Sequence, residues 1–257
     1  MRSLPLAFLL LAACGPSASA PKWPVSPCHQ TLFEGVRFTV CDPGQGQLWL
    51  VAAGRDEAPL RSFAELAMRV PADQVAFAMN AGMFDGDGRP IGLAIADGLP
   101  LHAMNLHDGG GNFHLKPNGV FLVRDSGAAS IVVSEAFKSA PDIAFATQSG
   151  PMLVIDGTIH PRFDPDGESR FIRNGVGIAP GGKPVFVISN EVVSFGKLAR
   201  FFRNGLHARN ALYFDGSVSS LWDPAAGRQD AGVPLGPLIV AMKSEASAPG
   251  RAGRATP

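Results

Sequence analysis

Short apolar runs, each closed within a few residues by glycine, proline, asparagine or aspartate, recur along most of the chain. Runs of this length match the usual span of a β-strand and are too brief for most helices. They fall at 48–53, 74–80, 91–96, 119–123, 130–134, 143–147, 152–155, 175–178, 185–189 and 211–214. Asp97-Gly98, Asp156-Gly157 and Pro180-Gly181-Gly182 sit between such runs and predict hairpin connections, because these residue types accept the left-handed backbone of a tight turn. With 30 glycines and 22 prolines but no Gly-X-Y period, the chain is built for turns, which excludes collagen and long helices.

Helical periodicity is convincing in two places. Ser62-Phe63-Ala64-Glu65 is a capping-box sequence, and Phe63, Leu66, Ala67 and Val70 then share one face. A second stretch begins near Ser194 and spaces Leu198, Phe201, Phe202 and Leu206 for core packing, with Gly205 near its end. The expected fold class is therefore α+β, a strand-rich mixed sheet covered by two amphipathic helices. A hydrophobic content of 46% is enough for one substantial core, and 22 basic against 22 acidic residues leave no field to gather nucleic acid.

The first residues read as a targeting segment. Arg2 precedes an apolar run at 4–11 that is too short to span a hydrocarbon core of about 30 Å. It leads into Leu11-Ala12-Ala13-Cys14-Gly15, which resembles the bacterial lipobox. Residues 1–13 are expected to be a lipoprotein signal peptide. An acylated Cys14 would hold the exported chain on the periplasmic side of a membrane, and Gly15 after it points to the outer membrane. Residues 14–27 read as a tether, 28–242 as the folded domain and 243–257 as a disordered tail. Cys28 and Cys41 remain as an even pair flanking a strand at 35–40, and in an oxidising compartment they are expected to form a disulfide.

The chemically informative residues cluster where strands stop. Asn80-Ala81-Gly82-Met83-Phe84-Asp85-Gly86-Asp87-Gly88 joins an amide, glycine flexibility and two carboxylates. Its spacing invites a calcium loop, but Arg89-Pro90 stands where further oxygen ligands are needed, so a turn is the better reading. Asp164-Pro165-Asp166-Gly167-Glu168 reads the same way. His114 and Lys116 precede the run at 119–123, Ser149-Gly150-Pro151 interrupts another, Arg173-Asn174 directly precedes a third, and Asp215-Gly216-Ser217-Val218-Ser219-Ser220 closes a fourth. Glu191 leaves the run at 185–189 and offers a second carboxylate. No cofactor and no metal ion is called for.

In this order the segments resemble the phosphodiester glycosidase family over most of 74–222. The family's Asn-Gly-Phe loop is similar to Asn80 to Phe84, its Ser-Gly-Pro-Leu-Val strand to Ser149 to Val154, its Arg-Gly segment to Arg173 to Gly177, and its Asp-Gly-Ser signature to Asp215 to Ser220. Many relatives carry two or three glycines after the aspartate, whereas Gly216 is followed here by Ser217 and Val218. The resemblance implies hydrolysis at the anomeric carbon of a sugar held in a phosphodiester, with a carbohydrate or sugar-phosphate substrate. A phosphate monoester leaves readily, so such a site needs charge stabilisation more than proton donation. Arg173 then fits as the phosphate holder, since its planar fork matches two oxygens. Asp215 fits as nucleophile or base, with Glu191 as the second carboxylate. Asn80, Gly82, Phe84, His114, Ser149, Gly150, Asn174, Gly216, Ser217 and Ser219 complete the expected substrate surface, with Asn80, Arg173, Asp215 and Ser217 lining one pocket. A non-catalytic glycan- or peptidoglycan-binding lipoprotein stays open as the alternative. A serine hydrolase is the poorer reading, because neither Ser149 nor Ser217 sits in a Gly-x-Ser-x-Gly elbow.

Overall fold

The computed structural model describes residues 25–54 and 57–244, so Cys14, the expected signal peptide and residues 245–257 lie outside the described residues. Three sheets surround a shared core. The first has seven strands, in the order Cys28–Phe33, Val36–Cys41, Lys183–Ser189, Asn174–Ala179, Asn210–Tyr213, Met152–Ile155 and Thr158–Ile159. The second has five, Arg228–Gln229, Leu221–Asp223, Val75–Asn80, Leu238–Met242 and Leu48–Val51. The third also has five, Leu99–His102, Ala94–Ala96, Ile143–Ser149, Gly119–Arg124 and Ala129–Val133.

Every strand pairing among the described residues is antiparallel, which corrects the expected single mixed sheet. Parallel neighbours need long crossover connections, and this chain spends its residues on hairpins instead. The three turn sequences do connect hairpins. Asp97 and Gly98 take φ of 50° and 75°, Asp156 and Gly157 take 46° and 83°, and Gly181 and Gly182 take 82° and 77°. All of these lie in the left-handed region.

The shared core draws Phe77 and Ile239 from the second sheet, Phe121 and Phe145 from the third, and Phe186, Leu212 and the neighbouring Phe214 from the first. The outer faces are covered too. Leu60, Phe63 and Leu66 pack on Trp222, Leu238 and Val240, while Leu198, Phe201 and Phe202 pack near Phe38 and Tyr213. Burial on both faces explains why Val75–Asn80 and Leu238–Met242 read as continuous apolar runs, without alternation.

The first helical cover is shorter than the sequence periodicity implies, and the second is not α-helical throughout. Ser62 caps Phe63–Ala67 by accepting from the Glu65 N–H at 3.1 Å, but the Glu65 carboxylate reaches the Arg61 N–H, one residue upstream of the capping-box partner. Ser194 caps Phe195–Arg200 through the Lys197 N–H, and the chain then widens into a π turn at Phe201–Gly205. The first cover is thus little more than one turn, while the second runs from Phe195 to Gly205 and changes from α to π geometry midway.

Cys28 and Cys41 face one another in register at the open end of the first hairpin, 4.0 Å apart at Cα, and are joined as a disulfide. Among the described residues no helix is long and apolar enough to cross a membrane.

Candidate active site

The segment 214–220 leaves the first sheet after Asn210–Tyr213 and enters the second at Leu221–Asp223, so it crosses the seam between them. Two buried asparagines hold that seam, Asn80 at the end of one strand and Asn174 at the start of another. The Asn174 amide donates to Asn80 Oδ1 at 2.8 Å and to the Asn80 carbonyl at 3.1 Å. Asn80 Nδ2 donates to the Asp215 carbonyl at 3.0 Å, and Asn80 Oδ1 also accepts from the Ser220 N–H at 2.9 Å. The Ser219 hydroxyl donates to Asn174 Oδ1 at 3.1 Å. Both ends of the Asp215 loop are thus tied to side chains from different sheets. These amides are 1% and 0% exposed, which makes them positioning groups and not ligand contacts.

Asp215 is half-buried at the head of this loop, and its Oδ1 accepts from the Ser217 N–H at 3.0 Å. Burial raises its carboxyl above the ordinary value of 3.8, and the backbone and side-chain hydrogen bonds of Ser217 offset part of that rise. Gly216 is needed for close approach, since a Cβ at this position would overlap the Tyr213 hydroxyl. That phenol, the only tyrosine in the chain, is pushed up to about 12, chiefly by burial. It is therefore protonated at neutral pH.

Arg173 lies on the far side of Tyr213. Its Nη1 donates to the Tyr213 hydroxyl at 3.0 Å, its Nε to the Val193 carbonyl at 2.9 Å, and its Nη2 to the Ser169 carbonyl and hydroxyl at 3.0 and 3.2 Å. The Phe195 ring covers one face of the guanidinium, 3.7 Å from Cζ. Burial lowers the basicity of this group, and it has no carboxylate partner among the described residues. A buried cation held by neutral groups alone leaves a positive potential beneath the Asp215 loop.

The loop forms one wall of an open cavity of about 690 Å³, lined among others by Gly216, Ser217, Ser219, Ser189, Asn190 and Arg228. Of the four residues expected to line one pocket, Ser217 alone lines this cavity. Asp215 stands next to it in the loop with its Oδ1 turned back onto the Ser217 N–H, and Asn80 and Arg173 are each only 1% exposed and lie behind the wall. The reason is chemical: buried polar groups must be satisfied, and in both residues the protein itself supplies the partners. Arg173 is nevertheless joined to the Asp215 loop through Tyr213, whose hydroxyl accepts from Arg173 Nη1 and lies against Gly216.

The remaining expected residues lie elsewhere. Glu191 is exposed and accepts from the Arg37 N–H at 3.3 Å. His114 meets the His107 carbonyl at 2.9 Å in a separate loop, beside the Lys116–Asp108 ion pair. Gly82 presses on the backbone of Gln148, Phe84 pairs with Pro90 beneath Arg61, and Ser149 and Gly150 are buried next to Asn118 and Phe113. None of these six lines the cavity. The two acidic loops are turns: Asp85 Oδ1 accepts from the N–H groups of Asp87 and Arg89, and Asp164 Oδ1 from that of Asp166.

Three contributors escaped the sequence reading. Tyr213 was a candidate only as a strand residue, although its being the sole tyrosine beside Asp215 was a visible signal. Ser169 completes the Arg173 cage from a loop without periodicity. Arg228, held by Asp230 through bonds of 3.0 and 2.7 Å, is the cation that opens onto the cavity.

Comparison with known proteins places this architecture. Residues 73–233 match the family model described as phosphodiester glycosidase, so the chain belongs to the phosphodiester glycosidase family. It is 42% identical over 149 residues to the Escherichia coli K12 protein titled "Uncharacterized protein YigE". That alignment spans 58% of each of the two chains, so the chain matches little more than half the length of this curated relative. In fold it is similar to the catalytic domain of zebrafish N-acetylglucosamine-1-phosphodiester alpha-N-acetylglucosaminidase, with a TM-score of 0.58 at 13% identity over 84% of this chain and 81% of that one. A hypothetical protein from Synechocystis gives a TM-score of 0.53 at 14% identity, over 83% and 61% of the two chains.

Proposed function

We propose that this protein hydrolyses the bond between the anomeric carbon of a sugar and the oxygen of a phosphodiester, using the Asp215 loop. The observation that carries this reading is the half-buried Asp215 on a loop whose Gly216 lies against the Tyr213 hydroxyl, which in turn accepts from a caged Arg173 that has no carboxylate partner among the described residues. Water adds to the sugar carbon, the C–O bond breaks, and the phosphate departs as a monoester that needs little protonation. Asp215 is the carboxylate that meets the positive charge developing at the anomeric carbon. In this conformation Arg173 acts through its potential and by orienting Tyr213. Direct contact with phosphate falls to the cavity-lining Arg228 and to Ser217 and Ser219. Family membership and the named activity of the zebrafish structural relative support a glycosyl phosphodiester as the substrate class.

The test is a panel of hexose and N-acetylhexosamine 1-phosphate methyl diesters incubated with the full chain in detergent, with mass detection of the free sugar and methyl phosphate. Turnover that Asp215→Asn reduces at least a hundredfold, with ligand affinity retained, is expected. Loss of affinity with no turnover by the native chain points instead to a glycan-binding protein.

We further propose that residues 1–13 are removed on export and that an acylated Cys14 anchors the protein in the cell envelope, on the lipobox sequence alone. Cys14→Ser protein is expected to leave the membrane fraction. Unchanged processing and membrane retention of that variant would contradict the anchor.

A further inference from the structure

The cavity beside the Asp215 loop is lined by both polar and large apolar side chains. Large hydrophobic side chains are seldom left exposed in groups without a use. Here Phe171, Val192 and Val233 are 52%, 56% and 42% exposed, and all three stand on the lining of this one cavity. They come from three separate parts of the chain. Phe171 and Val192 are brought together because Phe171 bridges to Val193, while Val233 arrives from the segment after Arg228–Gln229. Ile172 and, within the Asp215 loop itself, Val218 add further apolar surface to the lining.

The lining also carries the hydroxyls of Ser217, Ser219 and Ser220 and the Arg228–Asp230 pair. Asp230 occupies two of the five guanidinium N–H groups of Arg228, and Thr39 lies at 3.4 Å from Nη1, so donors remain for an oxyanion in the cavity. A volume of about 690 Å³ lies well inside the range of cavities that take drug-sized ligands, more than a single sugar ring fills. The lining thus combines hydroxyls next to Asp215, one cation and three solvent-exposed apolar side chains.

We infer that the substrate is a sugar phosphodiester whose aglycone carries an apolar chain, with the sugar at the serine loop, the phosphate near Arg228 and the chain laid along Phe171, Val192 and Val233. This rests on the hydrolase reading above but adds a claim that reading does not need. A polar aglycone would leave these side chains exposed in the complex, and the free energy of covering them would be lost.

Calorimetric titration of the Asp215→Asn full chain with methyl and hexyl diesters of the same sugar 1-phosphates tests the inference without turnover. The hexyl diester is expected to bind at least tenfold more tightly. In V192S/V233S the ratio of the two affinities falls toward one. Both side chains are exposed, so the substitutions do not hollow the core. Equal affinity for the two diesters overturns the apolar subsite even if the native chain cleaves both, in which case the hydrolase reading stands alone. If neither binds and neither is cleaved, both claims fall. Turnover of the hexadecyl diester in phosphatidylcholine vesicles identifies a membrane lipid as the source of the chain, whereas preference for the hexyl diester in solution identifies a soluble amphiphile.

Discussion

At the scale of single residues, Asp215 carries both a chemical and a thermodynamic prediction. Its carboxyl is raised above 3.8 in the folded chain by burial, so the unfolded chain releases this proton first as pH rises. The ionised group then subtracts stability above its raised folded-state value, and that penalty is absent below the ordinary value. Asp215→Asn is accordingly expected to melt at or above the native temperature at pH 7, with the gap closing as pH falls toward 4. A variant clearly less stable at pH 7 would mean the carboxylate serves structure, not chemistry. Activity that needs the ionised form is expected to fall away on the acid side at a pH above 3.8. Tyr213→Phe removes the acceptor for Arg173 Nη1 in a buried site, which should cost about 1–3 kcal/mol in denaturant unfolding and lower turnover as well. Asp215, Gly216, Ser217, Asn80 and Arg173 were all legible as chemistry-bearing residues at strand ends. Their depth was not legible, because whether a guanidinium faces a ligand or is caged by Val193, Ser169 and Phe195 depends on contacts distant in sequence.

At the scale of elements, the asparagine pair does what the loop alone cannot. Asn80 and Asn174 close a hydrogen-bond circuit between two sheets and the segment 215–220, so each substitution to alanine strands partners supplied by the others. Each single variant is expected to lose about 2 kcal/mol, and the double variant less than their sum, with a coupling of roughly 0.5–3 kcal/mol in a double-mutant cycle. Strict additivity would show that the circuit is not one unit. Strands were the most legible elements, since every apolar run noted in the sequence overlaps a strand or its margin. Leu238–Met242 went unread although wholly buried, because its run directly follows Gly236-Pro237 and abuts the polar residues 243–257. Leu221–Asp223 and Leu99–His102 are too short for periodicity to register. Helix lengths were overread for a related reason. Burial of Val70 and Phe202 at helical spacing comes from chain reversal and a π turn as readily as from continued α-helix.

At the scale of the whole molecule, three antiparallel sheets share one core, and the loop 214–220 crosses the seam where two of them meet. Such an arrangement makes the loop's ends rigid and its middle accessible, the usual disposition of functional residues on a stable scaffold. Sheet number and partnering were beyond the sequence, because an apolar run buried on both faces carries no alternation to say which strand lies beside it. The central claim is that this scaffold breaks the sugar–oxygen bond and leaves the phosphorus–oxygen bonds intact. Hydrolysis of a sugar 1-phosphate methyl diester in ¹⁸O-labelled water tests it most directly. The label is expected in the released sugar, with methyl phosphate unlabelled, in a reaction lost with Asp215→Asn. Label in methyl phosphate, or undiminished turnover by the variant, would contradict it.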